Sequence, residues 1–116
     1  MREPVRDIPR IEHMLEAIAN ACEYVDMFET KDAFLSNKAM LHATIYNVQI
    51  IGEAVYKLTP EFKQLYLEIP WKQIEKMRHI LVHDYYRVNF DYIWLVVKED
   101  IPPLRQQLEK ILEKLK

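Results

Sequence analysis

Apolar residues three and four positions apart recur along almost the whole chain, and this periodicity restricts the fold more than any other feature. They begin at Ile8, Ile11, Leu15, Ile18, Cys22 and Val25, a spacing that draws one stripe along an α-helix and predicts a first helix over 9–26. A second stripe, Leu41, Ile45, Val48, Gly52 and Val55, is widened by Met40, Ala43, Ile50, Ala54 and Leu58. The helix carrying it, capped by Ser36 or Asn37, is expected to be buried on more than one side. Gly52 inside this helix costs about 1 kcal/mol against alanine, and close approach of a neighbouring helix is the expected reason for it.

Thr59 and Pro60 read as a cap and a first-turn proline of a short helix reaching Tyr66, and Pro70 opens a third main helix from Trp71 to about Tyr85. Asn89 is expected to cap a C-terminal helix carrying Ile93, Val97, Ile101, Leu104, Leu108, Ile111 and Leu115. Pro102 and Pro103 should force a kink or a fresh start at Asp100. Nothing alternates with period two for long enough to form a sheet. The expected fold class is therefore all-α, an up-and-down bundle of four to five helices in a single domain spanning 1–116. The extra apolar surface of the second helix suggests a homodimer.

Composition removes several function classes. A single glycine in 116 residues excludes a phosphate-cradling loop or a dinucleotide fingerprint, which need several positions without Cβ; no cofactor is expected. The one cysteine, Cys22, allows neither an intrachain disulfide nor a thiolate cluster and fits the cytoplasm. The longest apolar run, Tyr92 to Val97, is far short of a membrane span, and the charged N-terminus does not resemble a secretion signal. A net charge of −2 gives no broad attraction to nucleic acid. Residues 57–87 nevertheless carry six basic and four acidic side chains, so the basic excess is local.

That segment holds the densest chemistry: Arg78, His79, His83, Asp84, Tyr85 and Tyr86 in RHILVHDYY. Arginine supplies a permanent planar charge matched to phosphate, and histidine exchanges protons near neutral pH. Together they suffice for metal-free cleavage of an RNA phosphodiester through attack by the 2′-hydroxyl. On an ideal helix Arg78 and His83 lie about 140° apart, so a shared site is easier to build at a helix end or between two copies. Arg78 aligns instead with Tyr85, and Glu75, His79 and His83 form one ridge. The structural alternative is that these residues cap carbonyls or pair with Asp84. Zinc on the Glu75, His79 and His83 ridge is a rival reading without a further motif ligand, and no metal is expected. Glu53, between Gly52 and Ala54, needs a partner if buried, for which Arg78 is a candidate. His13 and His42 stand alone; Trp71 and Trp94 read as core or interface.

Arg78 to Tyr85 matches R-x-x-x-x-H-x-Y, and with NVQIIGEAVYKL, EIPWKQIEKMRHILVHDYY and DIPPL the chain resembles the HepT-like family of HEPN-domain proteins over nearly its whole length. The resemblance implies a HEPN fold, a homodimer, and the toxin of a type VII toxin–antitoxin pair. By the same resemblance, the toxin is a metal-independent endoribonuclease whose two arginine–histidine motifs meet at the dimer cleft. It places the phosphate-binding arginine on Arg78 and the catalytic histidine on His83. Its expected partner is an MntA-type minimal nucleotidyltransferase that moves AMP from ATP onto Tyr85; Tyr86 adjoins as a second tyrosine. His79, Asp84 and Glu53 are possible supporting residues. Two departures stand out: His79 where asparagine is common, and Gln49 where an acid is common. The alternative function is a non-catalytic binding partner of such a nucleotidyltransferase.

Overall fold

Side-chain caps punctuate the chain at the positions the sequence predicts. In the computed structural model, which describes residues 6–115, Asn37 Oδ1 accepts from the Met40 N–H at 3.1 Å, Thr59 Oγ1 from Phe62 at 3.1 Å and Asn89 Oδ1 from Asp91 at 2.9 Å. Each satisfies a donor that the first helical turn leaves unpaired. The helices are α1 (Asp7–Asp26), α2 (Lys31–Ser36), α3 (Lys38–Lys57), α4 (Pro60–Leu65), α5 (Trp71–His83), α6 (Phe90–Leu95) and α7 (Ile101–Leu115). The described residues contain no strand, and no helix among them is long and apolar enough to cross a membrane.

Some boundaries differ from expectation. The first helix starts at Asp7, whose fully buried carboxylate accepts from the Thr59 N–H at 3.0 Å and from the Thr59 hydroxyl at 2.8 Å. This ties the start of α1 to the cap of α4. Helix α2 was not foreseen, since six residues offering one buried side chain, Phe34, cannot display a helical period. The C-terminal helix is interrupted at Asp100, where a kink or fresh start is expected, and the interruption takes the form of a π-helical turn over Val96–Asp100 between α6 and α7. Pro102 and Pro103 follow that turn directly, at the start of α7, where they have no N–H to continue the hydrogen-bond ladder.

Helix α3 is the centre of the packing, with α1 and α5 against it, while α7 lies on α1 and α2 bridges α3 and α6. Ile11, Met14, Ile18, Ile45, Val55 and Leu108 are among the buried core. Both tryptophans serve packing: Trp71 is buried with its Nε1–H shared between the Lys63 and Tyr66 carbonyls, 3.0 Å from each, and Trp94 leans on Phe34 at 5.5 Å. Most of the broad apolar surface of α3 is consumed. Ala54 and Leu58 are buried, Met40, Ala43 and Ile50 half-buried, and the large hydrophobic side chains that α3 exposes are Tyr46 and Tyr56.

Candidate functional site

The close approach expected at Gly52 is to α5. A Cβ on Gly52 would stand 2.2 Å from Arg78 Cβ, 2.9 Å from Arg78 Cγ and 3.2 Å from the Ile74 carbonyl oxygen. No side chain fits there, so glycine sets the separation of the two helices at the level of Arg78. Arg78 is half-buried as a result, with its guanidinium carbon 6.0 Å from the ring centre of Tyr56, within reach of a cation–π attraction. Its Nε is buried without a hydrogen-bond partner. The proposed partner for it is not the one the structure provides: Glu53 is exposed and takes Lys57 Nζ at 3.2 Å, one turn along α3. Facing outward, the Glu53 carboxylate stays hydrated and has no need of Arg78.

His83 is the last residue of α5. The helix stops two residues short of the predicted end because Asp84, after donating its N–H to Ile80 at 2.8 Å, turns out of helical geometry at φ −122°. A 3-10 turn follows over Tyr85–Arg87, closed by Arg87 N–H to the Asp84 carbonyl at 2.8 Å. The expected seven-residue alignment of Arg78 with Tyr85 therefore does not hold. Instead the turn separates the two tyrosines. Tyr85 is half-buried, its ring 5.6 Å from Phe90 and 6.4 Å from His42, whereas Tyr86 is 81% exposed. His42, which the sequence left isolated, is thereby a neighbour of the motif; nothing in the spacing of α3 and the loop could have paired them.

Gln49 is a second residue whose place was not legible. Its Nε2 donates to the Leu81 carbonyl at 3.2 Å, satisfying one of the acceptors that the last turn of a helix leaves free. A carboxylate in its place would have no hydrogen to donate there. On the outer side of α5 the His79 and His83 rings lie 4.6 Å apart, and both side chains are exposed. Glu75, the third member of the predicted ridge, is engaged by Lys63 at 3.5 Å. No group of three or more potential metal ligands exists among the described residues.

A cavity of about 770 Å³ opens between α5 and the α6–α7 arm, lined by Ile74, Met77, Ile80, Tyr92, Ile101 and Leu104 among others. Val48 and Ile51 of α3 also line it, and it includes neither Arg78 nor His83.

Comparison with known proteins agrees with the family resemblance. A family model described as Ribonuclease HepT-like matches residues 14–111. A protein of Methanocaldococcus jannaschii named for γ-glutamylcyclotransferase and candidate RNase functions is 41% identical over 90% of this chain, which spans only 47% of that protein. A candidate RNase of Caldanaerobacter subterraneus subsp. tengcongensis is 36% identical, with 93% of this chain and 96% of the relative covered. A ribonuclease HepT homologue of Thermococcus cleftensis is 40% identical over 84% and 91% of the two chains. No solved structure matches significantly. The family match, extending over all but the ends of a helical bundle that presents an arginine beside Gly52 and a histidine at the end of α5, makes this chain a member of the HepT-like ribonuclease family.

Proposed function

We propose that two copies of the chain form a metal-independent endoribonuclease in which Arg78 of one protomer and His83 of the other act on the same phosphodiester. The observation that carries this is the state of Arg78: half-buried, fixed by the Gly52 contact, and paired with no carboxylate among the described residues of a chain that has 18 acidic side chains. Leaving a guanidinium unpaired in partly buried surroundings costs stability, and an incoming phosphate removes that cost. The ribose 2′-hydroxyl attacks phosphorus while His83 accepts its proton. The 5′-oxygen leaves and takes up a proton, giving a 2′,3′-cyclic phosphate and a 5′-hydroxyl, and Arg78 stabilises the charge that grows on the phosphoryl oxygens. The two motif residues are about 140° apart along one ideal helix, which is why the site draws on two copies.

Mixing two inactive variants tests the arrangement. R78A and H83A homodimers should each lose about a hundredfold or more in cleavage rate while remaining folded dimers. After subunit exchange half the dimers are mixed, and one of the two sites in each is intact, so about a quarter of the wild-type activity returns. No recovery in exchanged dimers would overturn the shared site, and undiminished cleavage by either variant would overturn its catalytic role.

In this reading the protein is the toxin of a type VII toxin–antitoxin pair held inactive by an MntA-type nucleotidyltransferase. The Tyr85 hydroxyl attacks the α-phosphorus of ATP, pyrophosphate leaves, and the adenylate brings a negative charge and bulk beside the arginine–histidine pair. Its half-buried setting against Phe90 and His42 holds the Tyr85 ring in a defined place, unlike that of Tyr86. Peptide mass spectrometry after reaction with ATP and the cognate enzyme should find the adenylate on Tyr85; adenylate on Tyr86 alone would refute the assignment.

A further inference from the structure

The rings of His79 and His83 stand one helical turn apart on the exposed side of α5, 4.6 Å between centres. Neither side chain makes a hydrogen bond or ion pair with another described residue, and both are open to solvent. Two imidazoles four residues apart on one helix face can close on a single tetrahedral transition-metal ion, with water filling the remaining positions. Imidazole nitrogen suits Zn²⁺ in particular. Exposed side chains reach that arrangement by rotation alone, without moving the helix.

We propose that His79 and His83 form an inhibitory zinc site: Zn²⁺ held by the pair occupies His83 and stops cleavage. This rests on the ribonuclease role of His83 given above. The ring nitrogen coordinates metal through the same lone pair that accepts the 2′-hydroxyl proton, so a metallated His83 cannot serve as the base. Glu75 plays no part, because Lys63 holds it. The site is thus a two-residue chelate that metal leaves readily, and its effect is reversal by chelator rather than dependence on metal.

Zinc binding and cleavage are measured separately, on the wild type and on H79N and H83N, with helicity checked by circular dichroism. Isothermal titration with ZnCl₂ should show binding by the wild type and its loss in both variants. Zinc should inhibit wild-type cleavage, and EDTA should restore it. In H79N the zinc concentration for half-inhibition, taken against that variant's own zinc-free rate, should rise at least the ~10-fold that even outer-shell losses cost a metal site. Undiminished zinc binding by H79N, or no binding by the wild type, overturns the proposal. Zinc bound through both histidines by a protein that cleaves no RNA in zinc-free buffer would instead refute the ribonuclease role of His83, and inhibition with it, leaving the metal site standing.

Discussion

Replacing Gly52 by alanine sets two effects of opposite sign against each other. Alanine in the interior of α3 gains about 1 kcal/mol in helix propensity. Against this, the new Cβ would lie 2.2 Å from Arg78 Cβ, where carbon atoms in contact rest about 3.5 Å apart or more. The deficit of about 1.3 Å cannot be met by a rotamer change, because Arg78 Cβ is fixed to the backbone of α5 and the Ile74 carbonyl, at 3.2 Å, also belongs to that backbone. Helix α5 must move as a body. Overpacking of this kind costs about 1–3 kcal/mol. The net effect is a destabilisation of up to about 2 kcal/mol, read as a lower midpoint in urea with unchanged slope. Cleavage should fall by more than the folded fraction does, since Arg78 moves with the helix. The same substitution made on R78A should cost nearly as much, because alanine keeps the offending Cβ; on R78G most of the cost should disappear, with the 3.2 Å approach to the Ile74 carbonyl remaining. A G52A protein more stable than wild type, or an equal cost on the R78G background, would refute the steric account.

Other consequences follow from single contacts. D7A removes a carboxylate that accepts two hydrogen bonds and leaves the buried Thr59 donors without it, so stability should drop by about 1–3 kcal/mol; a change below 0.5 kcal/mol in urea denaturation would contradict this. Q49E replaces a donor to the Leu81 carbonyl with a group that cannot donate, and amide exchange in the last turn of α5 should quicken relative to the first; uniform exchange would show that Gln49 does not hold that end. Burial pushes the Cys22 thiol above its ordinary range, against the opposing pull of the Arg105 guanidinium. The thiolate is the reactive form, so iodoacetamide should modify the folded protein more slowly than a free thiol at pH 8, with the rate still climbing above pH 9; a rate equal to that of free cysteine would remove burial as the controlling factor.

The helices were legible because burial on one side imposes a period, and a period survives in sequence even when its partner is unknown. Ile45, Val48, Val55, Ile101, Leu104 and Leu108 were assigned to stripes and are buried. Asn37, Thr59 and Asn89 were legible for a different reason: a cap is a contact within three residues, so its two halves lie side by side in the chain. What could not be read are contacts joining segments far apart. Asp7 with Thr59, Gln49 with Leu81 and His42 with Tyr85 are 52, 32 and 43 positions apart, and no local pattern pairs the two members. Gly52 lies between these cases. Its presence in a good helix announced that something approaches, while only the fold says that the neighbour is Arg78.

The same distinction governs the motif. Arg78 and His83 were recognisable as residue types at a fixed spacing, but spacing counts along a helix and chemistry needs a position in space. Ending α5 at His83 rather than at Tyr85 alters the relations that were read along the helix. It frees Tyr85 from the arginine's face and turns it toward Phe90, while Tyr86 points outward. The ridge of Glu75, His79 and His83 loses its acid to Lys63, which leaves two adjacent imidazoles and no carboxylate. Glu53, the acid nearest Arg78 in expectation, goes to Lys57. Glu75 and Glu53, two acids expected beside the motif's basic groups, are thus both taken by lysines. A guanidinium with no counter-ion among the described residues remains on a chain whose overall charge is negative, and at short range that local imbalance outweighs the total, because solvent and salt screen the distant carboxylates far more than they screen a phosphate in contact.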